Sequence, residues 1–177
     1  AFLKSETIWK ELILEDIVKQ AGIQSNKNIK IKIEVDVEPP LGFDTEEKLL
    51  IRPFSFYVKC FTRPSLFAGK MHALLFRKWK NRVKGREWYD LEWYVKKNIP
   101  LDVKHFLQRA KDTGDWQKDT ITREEILQLL SDKIDSVSMD NVKEDVVRFI
   151  KDDKVLDIWS KEYFHLLIEK LKFEREI

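Results

Sequence analysis

Glycine, proline and cysteine are all scarce in this chain, at five, five and one among 177 residues. So little glycine and proline excludes collagen-like and low-complexity sequence. The single cysteine, Cys60, excludes an internal disulfide, so a reducing interior, the cytoplasm, is the expected compartment. No apolar run approaches the roughly 18 to 20 residues that span a bilayer, and no secretory signal opens the sequence; no membrane partner is expected. Gly-Ser and Gly-Gly pairs are absent throughout, and Gly22 is the only glycine before Glu34. Walker loops, dinucleotide fingerprints and Ser-His-Asp signatures are missing too. His72, His105 and His165 lie far apart with no ligand partner at metal spacing, so each reads as a packed or surface histidine.

Negative charge is the most telling local absence. The seventeen residues from Lys70 to Arg86 hold seven cations and no acid. The whole chain sums to +2, so with +7 here the remainder sums to −5. Local basicity of this kind commonly has an anionic partner. Elsewhere the composition is that of a folded protein: 43% hydrophobic, 36% charged, with eleven Phe and six Trp as bulky core material.

Periodicity divides the chain into two halves. Trp9, Leu12, Ile13 and Ile17 follow Ser5 at helical spacing and predict an amphipathic helix that ends near Gly22. Ile29 to Val37 alternates strictly, with Ile29, Ile31, Ile33, Val35 and Val37 against Lys30, Lys32, Glu34 and Asp36, and predicts a strand. Pro39-Pro40 ends it, and Phe54 to Phe61 after Pro53 predicts a second strand, in which Cys60 is a buried structural thiol. Pro64-Ser65 opens a helix through Arg77, and a further helix runs from Arg86 to Lys97. Beyond Pro100 only amphipathic helices are expected, including a capping box at Thr122 and Glu125 and a long terminal helix over Asp157 to Phe173. The fold class is therefore α+β, with residues 1–97 as a partial core carrying a short mixed sheet and 98–177 as a helical lobe.

Two stretches carry chemistry. Glu34 and Asp36 stand about 7 Å apart along their strand, at ~3.3 Å per residue. Carboxylates on a rigid strand suit Mg²⁺, which completes its shell with water and substrate phosphate; a solvated face of alternating Lys and Glu has the same pattern. Lys70 and Arg77 share a helix face, and Lys78, Lys80, Arg82 and Lys84 lead to Gly85, as in a phosphate-binding groove or an ordinary solvated surface. Arg86 and Asp90 are spaced for an i,i+4 pair. Trp88, Tyr89, Trp93 and Tyr94 can form core or stack bases.

Ile31-Lys32-Ile33-Glu34-Val35, Lys70-Met71-His72-Ala73-Leu74-Leu75-Phe76-Arg77 and Lys84-Gly85-Arg86-Glu87-Trp88-Tyr89-Asp90-Leu91 together resemble the AbiEii/AbiGii-type nucleotidyltransferase toxins of bacterial toxin–antitoxin and phage-defence loci. The resemblance runs from about Ile29 to Val95. It continues weakly over Val147 to Leu167, where Trp159-Ser160 looks like the family's closing helices. It implies transfer of a nucleotidyl group from a nucleoside triphosphate to an acceptor, RNA such as tRNA, with Mg²⁺ as cofactor and a cognate antitoxin as partner. It puts a metal-proximal carboxylate at Glu34 with Asp36 beside it, the helix lysine at Lys70, and an Arg-acid-x-x-Asp motif at Arg86, Glu87 and Asp90. Glu34, Lys70 and Asp90 are then the catalytic set, expected in one cleft. Lys32, Arg77, Lys80, Arg82, Lys84 and Arg86 are the substrate-binding cations.

This sequence departs from the family pattern twice. Arg-Asp becomes Arg86-Glu87, longer by one methylene. The Gly-Ser or Gly-Gly-Thr loop and paired Asp-x-Asp that should precede Glu34 are not present, so the expectation is a downstream portion or a degenerate member, inactive as it stands. A non-catalytic nucleic-acid-binding module, or a protein that docks an antitoxin, remains the alternative.

Overall fold

A computed structural model describes residues 6–12, 29–35, 40–52, 54–78 and 83–174, the first two stretches as backbone only. The chain divides into two units, Ala1–Pro39 and Pro40–Ile177. In the first, β1 (Glu6–Leu12) and β2 (Ile29–Val35) pair antiparallel, with Glu6 opposite Val35, Thr7 opposite Glu34, Trp9 opposite Lys32 and Leu12 opposite Ile29. The alternating segment is thus a strand, and its end at Asp36 and Val37 lies outside the described residues. The helix expected after Ser5 is corrected over Glu6–Leu12. Thr7, Ile8 and Trp9 are β-branched or aromatic, and a partner strand that takes up their backbone hydrogen bonds outweighs four apolar residues at helical spacing. Ile13 to Gly22 lies outside the described residues.

The larger unit begins with a second antiparallel pair, β3 (Thr45–Leu50) and β4 (Phe56–Phe61). β4 starts two residues later than expected. β3 is not foreseen at all, because Thr-Glu-Glu-Lys-Leu-Leu has no alternation of its own and acquires strand geometry from β4. Cys60 is half-buried rather than buried, its Sγ 3.9 Å from the Val58 carbonyl, because a two-stranded ribbon covers its side chains poorly.

Six helices follow among the described residues: α1 (Arg63–Phe76), α2 (Gly85–Lys96), α3 (Val103–Asp112), α4 (Arg123–Ser136), α5 (Met139–Val147) and α6 (Lys161–Ile168). The fold class is α+β. Thr62 caps α1 by accepting from the Ser65 N–H, and Pro64 sits in the first turn, where its missing donor costs nothing. α4 carries the capping box expected of Thr122 and Glu125. The terminal helix is shorter than expected. A 3₁₀ turn (Asp153–Leu156) precedes it, Ser160 caps it by accepting from Tyr163 N–H at 3.1 Å, and after Ile168 the chain turns so that Lys172 accepts from Leu101 N–H at 2.8 Å.

Phe67, Met71, Trp88, Leu91, Phe106 and Ile126 are all at most 2% exposed, so residues on both sides of Lys97 share one core. Each such side chain contributes roughly 1.5–3 kcal/mol by burial. Phe67 and Tyr94 stack at 4.5 Å between α1 and α2, and Phe164 of α6 meets Trp88 edge-on at 5.0 Å. Glu92 is buried in this core and satisfied there by Tyr163, by Trp159 Nε1 at 3.3 Å and by Lys96 at 2.8 Å. His72 and His105 are packed, as expected of them, and burial holds both imidazoles below their ordinary pKa. No helix among the described residues is long and apolar enough to cross a membrane.

α2 begins without a cap of its own. Lys84 makes no side-chain capping bond, and the Gly85 N–H instead donates to Asp145 Oδ2 of α5 at 3.0 Å. A Cβ on Gly85 would fall 2.2 Å from the Val142 carbonyl oxygen and 2.9 Å from Val146 N. Gly85→Ala should therefore lower the urea midpoint by the equivalent of ~1–3 kcal/mol or more, since backbone must move. At Gly69 in α1 a Cβ would come no nearer than 3.8 Å to Arg109 atoms. Gly69→Ala should raise the midpoint by ~0.5–1 kcal/mol, the usual gain in a helix interior. Equal responses from the two variants would show that the α2–α5 approach is not what requires glycine.

Candidate functional site

α1 and α2 cross so that the last turns of one face the first turns of the other. The cleft beside them, about 730 Å³, is lined by Lys70 and Arg77 from α1 and its end, by Lys84, Arg86, Glu87, Tyr89 and Asp90 from the start of α2, and by Val146, Phe149, Ile150, Lys151, Asp152 and Val155 from the end of α5 and the turn after it. Five cations and three acids therefore share it. A smaller hollow of about 420 Å³ shares Arg77, Lys84 and Glu87 with it and adds Lys78, Asp115 and Lys133.

Of the residues singled out from sequence, Lys70, Arg77, Lys84, Arg86 and Asp90 come together here. Lys70 Nζ lies 2.8 Å from Asp90 Oδ2, so the acid is paired across two helices. The i,i+4 pair of Arg86 with Asp90 is corrected accordingly: the Arg86 guanidinium instead lies 4.6 Å from the centroid of the Phe149 ring. That contact combines cation–π attraction with partial shielding of the ring from water. Lys32 and Glu34 lie on β2 of the smaller unit, and Asp36, Lys80 and Arg82 lie outside the described residues. Of the four aromatics, Trp88 and Tyr94 are core, whereas Tyr89 and Trp93 are more than a third exposed.

Several cleft residues had no role assigned from sequence, among them Glu87, Phe149, Lys151 and Val155. Glu87 is half-buried, and burial holds its carboxyl above the ordinary value although Arg77, Lys133, Lys84 and Lys70 all pull it down. Its place in the Arg-acid-x-x-Asp string was visible, but its depth was not. Phe149, Lys151 and Val155 belong to Arg-Phe-Ile-Lys-Asp-Asp-Lys-Val, which has no period that marks it as a cleft wall. The turn is set by Phe149 N–H donating to the Val146 carbonyl at 2.9 Å, and Asp152 caps the 3₁₀ turn by accepting from Lys154 N–H at 3.1 Å.

Chemically, this arrangement suits an anion. Lys70 and the arginines can take phosphate oxygens, with Arg able to do so through two parallel N–H groups. The described residues include no group of three or more His, Cys, Asp or Glu able to hold a metal ion. Asp90, facing Lys70, is an acceptor already engaged, so the cleft of the larger unit does not by itself fit a divalent cation.

The raised pKa of Glu87 has a testable sign. The native state holds that proton more tightly than the unfolded chain, so stability falls as pH rises from the ordinary value near 4.5, and the penalty persists at neutral pH. Glu87→Gln should raise the denaturation midpoint at about pH 7 and much less at about pH 4. A Gln variant less stable at neutral pH would show that the cations outweigh burial.

A family model described as nucleotidyl transferase AbiEii toxin, Type IV TA system, matches residues 15–164. No curated protein and no solved structure matches.

Proposed function

This chain belongs to the AbiEii nucleotidyl transferase toxin family, and on that premise we propose that the cationic cleft binds the triphosphate of a nucleoside triphosphate whose nucleotidyl group passes to an RNA acceptor. The observation that carries the reading is the gathering of Lys70, Arg77, Lys84 and Arg86 around one cleft, with Asp90 on Lys70 at 2.8 Å. In the reaction, an acceptor hydroxyl attacks the α-phosphorus, a new P–O bond forms, the bond to the bridging oxygen breaks and pyrophosphate leaves. Such transfer depends on positioning and on charges fixed where negative charge develops. Lys70 and the arginines supply those charges, and Asp90 orients Lys70.

Mg²⁺ is the cation that nucleotidyl transfer ordinarily employs, and Glu34 and Asp36 are the carboxylates we assign to it or to the proton of the attacking hydroxyl. The basic stretch from Arg77 to Lys84 is assigned to the acceptor backbone, and a cognate antitoxin is the expected protein partner.

Equilibrium titration with a nucleoside triphosphate tests the cleft. Lys70→Ala should weaken binding about 10- to 100-fold, the equivalent of one charge-assisted hydrogen bond. Lys104→Ala, on the exposed side of α3, should leave it unchanged. No binding, or equal losses in both variants, would sink the assignment. For RNA, about four phosphate contacts would make log K fall against log salt with a slope near −3. Replacing Lys80, Arg82 and Lys84 with Ala should flatten that slope; an affinity indifferent to salt and to these substitutions would make the stretch a solvated surface.

A further inference from the structure

We propose that the Phe149–Val155 wall of the cleft is a nucleobase subsite, so that a nucleoside triphosphate is held at both ends, its phosphates by the α1 and α2 cations and its base against Phe149. The inference rests on the nucleotidyl transferase reading and deepens it by separating the part of the ligand each wall recognises.

The two walls differ in chemistry. The α1 and α2 side contributes Lys70, Arg77, Lys84 and Arg86 with Glu87 and Asp90, whereas the end of α5 and the turn after it contribute the apolar Val146, Phe149, Ile150 and Val155 together with one cation, Lys151, and one acid, Asp152. Trp88, Phe106, Trp159 and Phe164 are at most 1% exposed, and the aromatics of this unit that are exposed besides Phe149 lie in or beside β4 (Phe54, Phe56, Tyr57, Phe61) and on α2 (Tyr89, Trp93). Phe149 is 52% exposed and Val155 44% exposed, both on a cleft that five cations share. An inorganic anion would use the cations and gain nothing from the apolar wall. A ligand that joins several phosphates to a flat, weakly polar ring uses both, and about 730 Å³ lies within the usual range for a small-molecule site.

The wall is also held in place. Val142 and Val146 of α5 are buried, Phe149 N–H closes the turn onto Val146, and Leu156, at 5% exposed, anchors the 3₁₀ turn in the core. Arg86 stands where the walls meet, its guanidinium 4.6 Å from the Phe149 centroid, and Arg148 lies 5.1 Å from the same ring. The Arg86 guanidinium lies over the ring, and an arginine plane is itself a surface on which a base can stack.

The test compares two ligands on the full chain by calorimetry: inorganic tripolyphosphate, which has the charges and no base, and a nucleoside triphosphate. Phe149→Ala should weaken nucleoside triphosphate binding roughly 10- to 100-fold, as loss of one stacked base does, and leave tripolyphosphate within about twofold. Phe149→Trp should keep nucleotide affinity, while Lys70→Ala should weaken both ligands. Phe149 is exposed, so its truncation leaves the core intact, and circular dichroism of the variant checks this. If Phe149→Ala affects both ligands equally or neither, the base subsite is overturned and the phosphate site stands. A loss confined to RNA oligonucleotides would overturn it as well, assigning the wall to an acceptor base. If the wild-type chain binds neither ligand, the nucleotidyl transferase reading of the cleft fails first.

Discussion

At its first residue α2 lies so close to α5 that a Cβ on Gly85 would fall 2.2 Å from a backbone oxygen, and the remaining features of the cleft depend on that approach. Asp145 takes the Gly85 N–H at 3.0 Å with one oxygen and Arg148 at 3.0 Å with the other, so a buried carboxylate substitutes for the cap that Lys84 does not provide. Replacing Asp145 would take from the buried Gly85 N–H the acceptor it has here, which costs more than the bond itself is worth. Once Gly85 is seated, helical geometry sends Arg86, Glu87, Tyr89 and Asp90 to the cleft while Trp88 and Leu91 enter the core. The same contact fixes the end of α5, from which the Phe149 turn follows.

Charge inside the cleft is balanced enough to fold and unbalanced enough to attract. Five cations gathered without acids would repel one another. Asp90, Glu87 and Asp152 moderate this, and an excess of two positive charges remains among the described lining residues. Glu87 shows the tension directly: four cations favour its charged form, yet burial outweighs them. Such competition between desolvation and neighbouring charge is typical of sites where protonation matters, though ion-pair networks show it too.

Much of this was legible in sequence, and unevenly so. β2, α1, α2 and the α4 cap were readable because each has its own signal: strict alternation, a proline in the first turn, a glycine that separates it from the helix before, and a Thr-x-x-Glu box. β1 and β3 were not, since a strand whose residues lack alternation takes its conformation from the partner beside it, and that partner is chosen by the fold. The terminal helix was overextended because Ser160 and the Leu101–Lys172 pairing, which end regular structure on either side of it, act through hydrogen bonds that periodicity does not register. At the site, the basic segment and the Arg-Glu-x-x-Asp string were apparent as motifs. Phe149 and Val155 were not, for a cleft wall made by a turn has no spacing to read; nor was the depth of Glu87, which depends on helices packed around it.

The pairing of Lys70 with Asp90 rather than Arg86 with Asp90 bears on how the cleft could work. An i,i+4 pair within α2 would have stabilised that helix by a few tenths of a kcal/mol and occupied both groups. Lys70 reaches across from α1 instead, with its side chain 51% exposed. An exposed pair of this kind is worth about 0–1 kcal/mol. A polyphosphate entering the cleft offers several negative charges in place of one, so Lys70 can exchange Asp90 for the ligand at small cost. Arg86, drawn toward Phe149, is already at the boundary between the cationic and apolar walls. The carboxylate then serves to hold the ammonium extended toward the cleft before a ligand arrives, which reduces the side-chain entropy lost on binding.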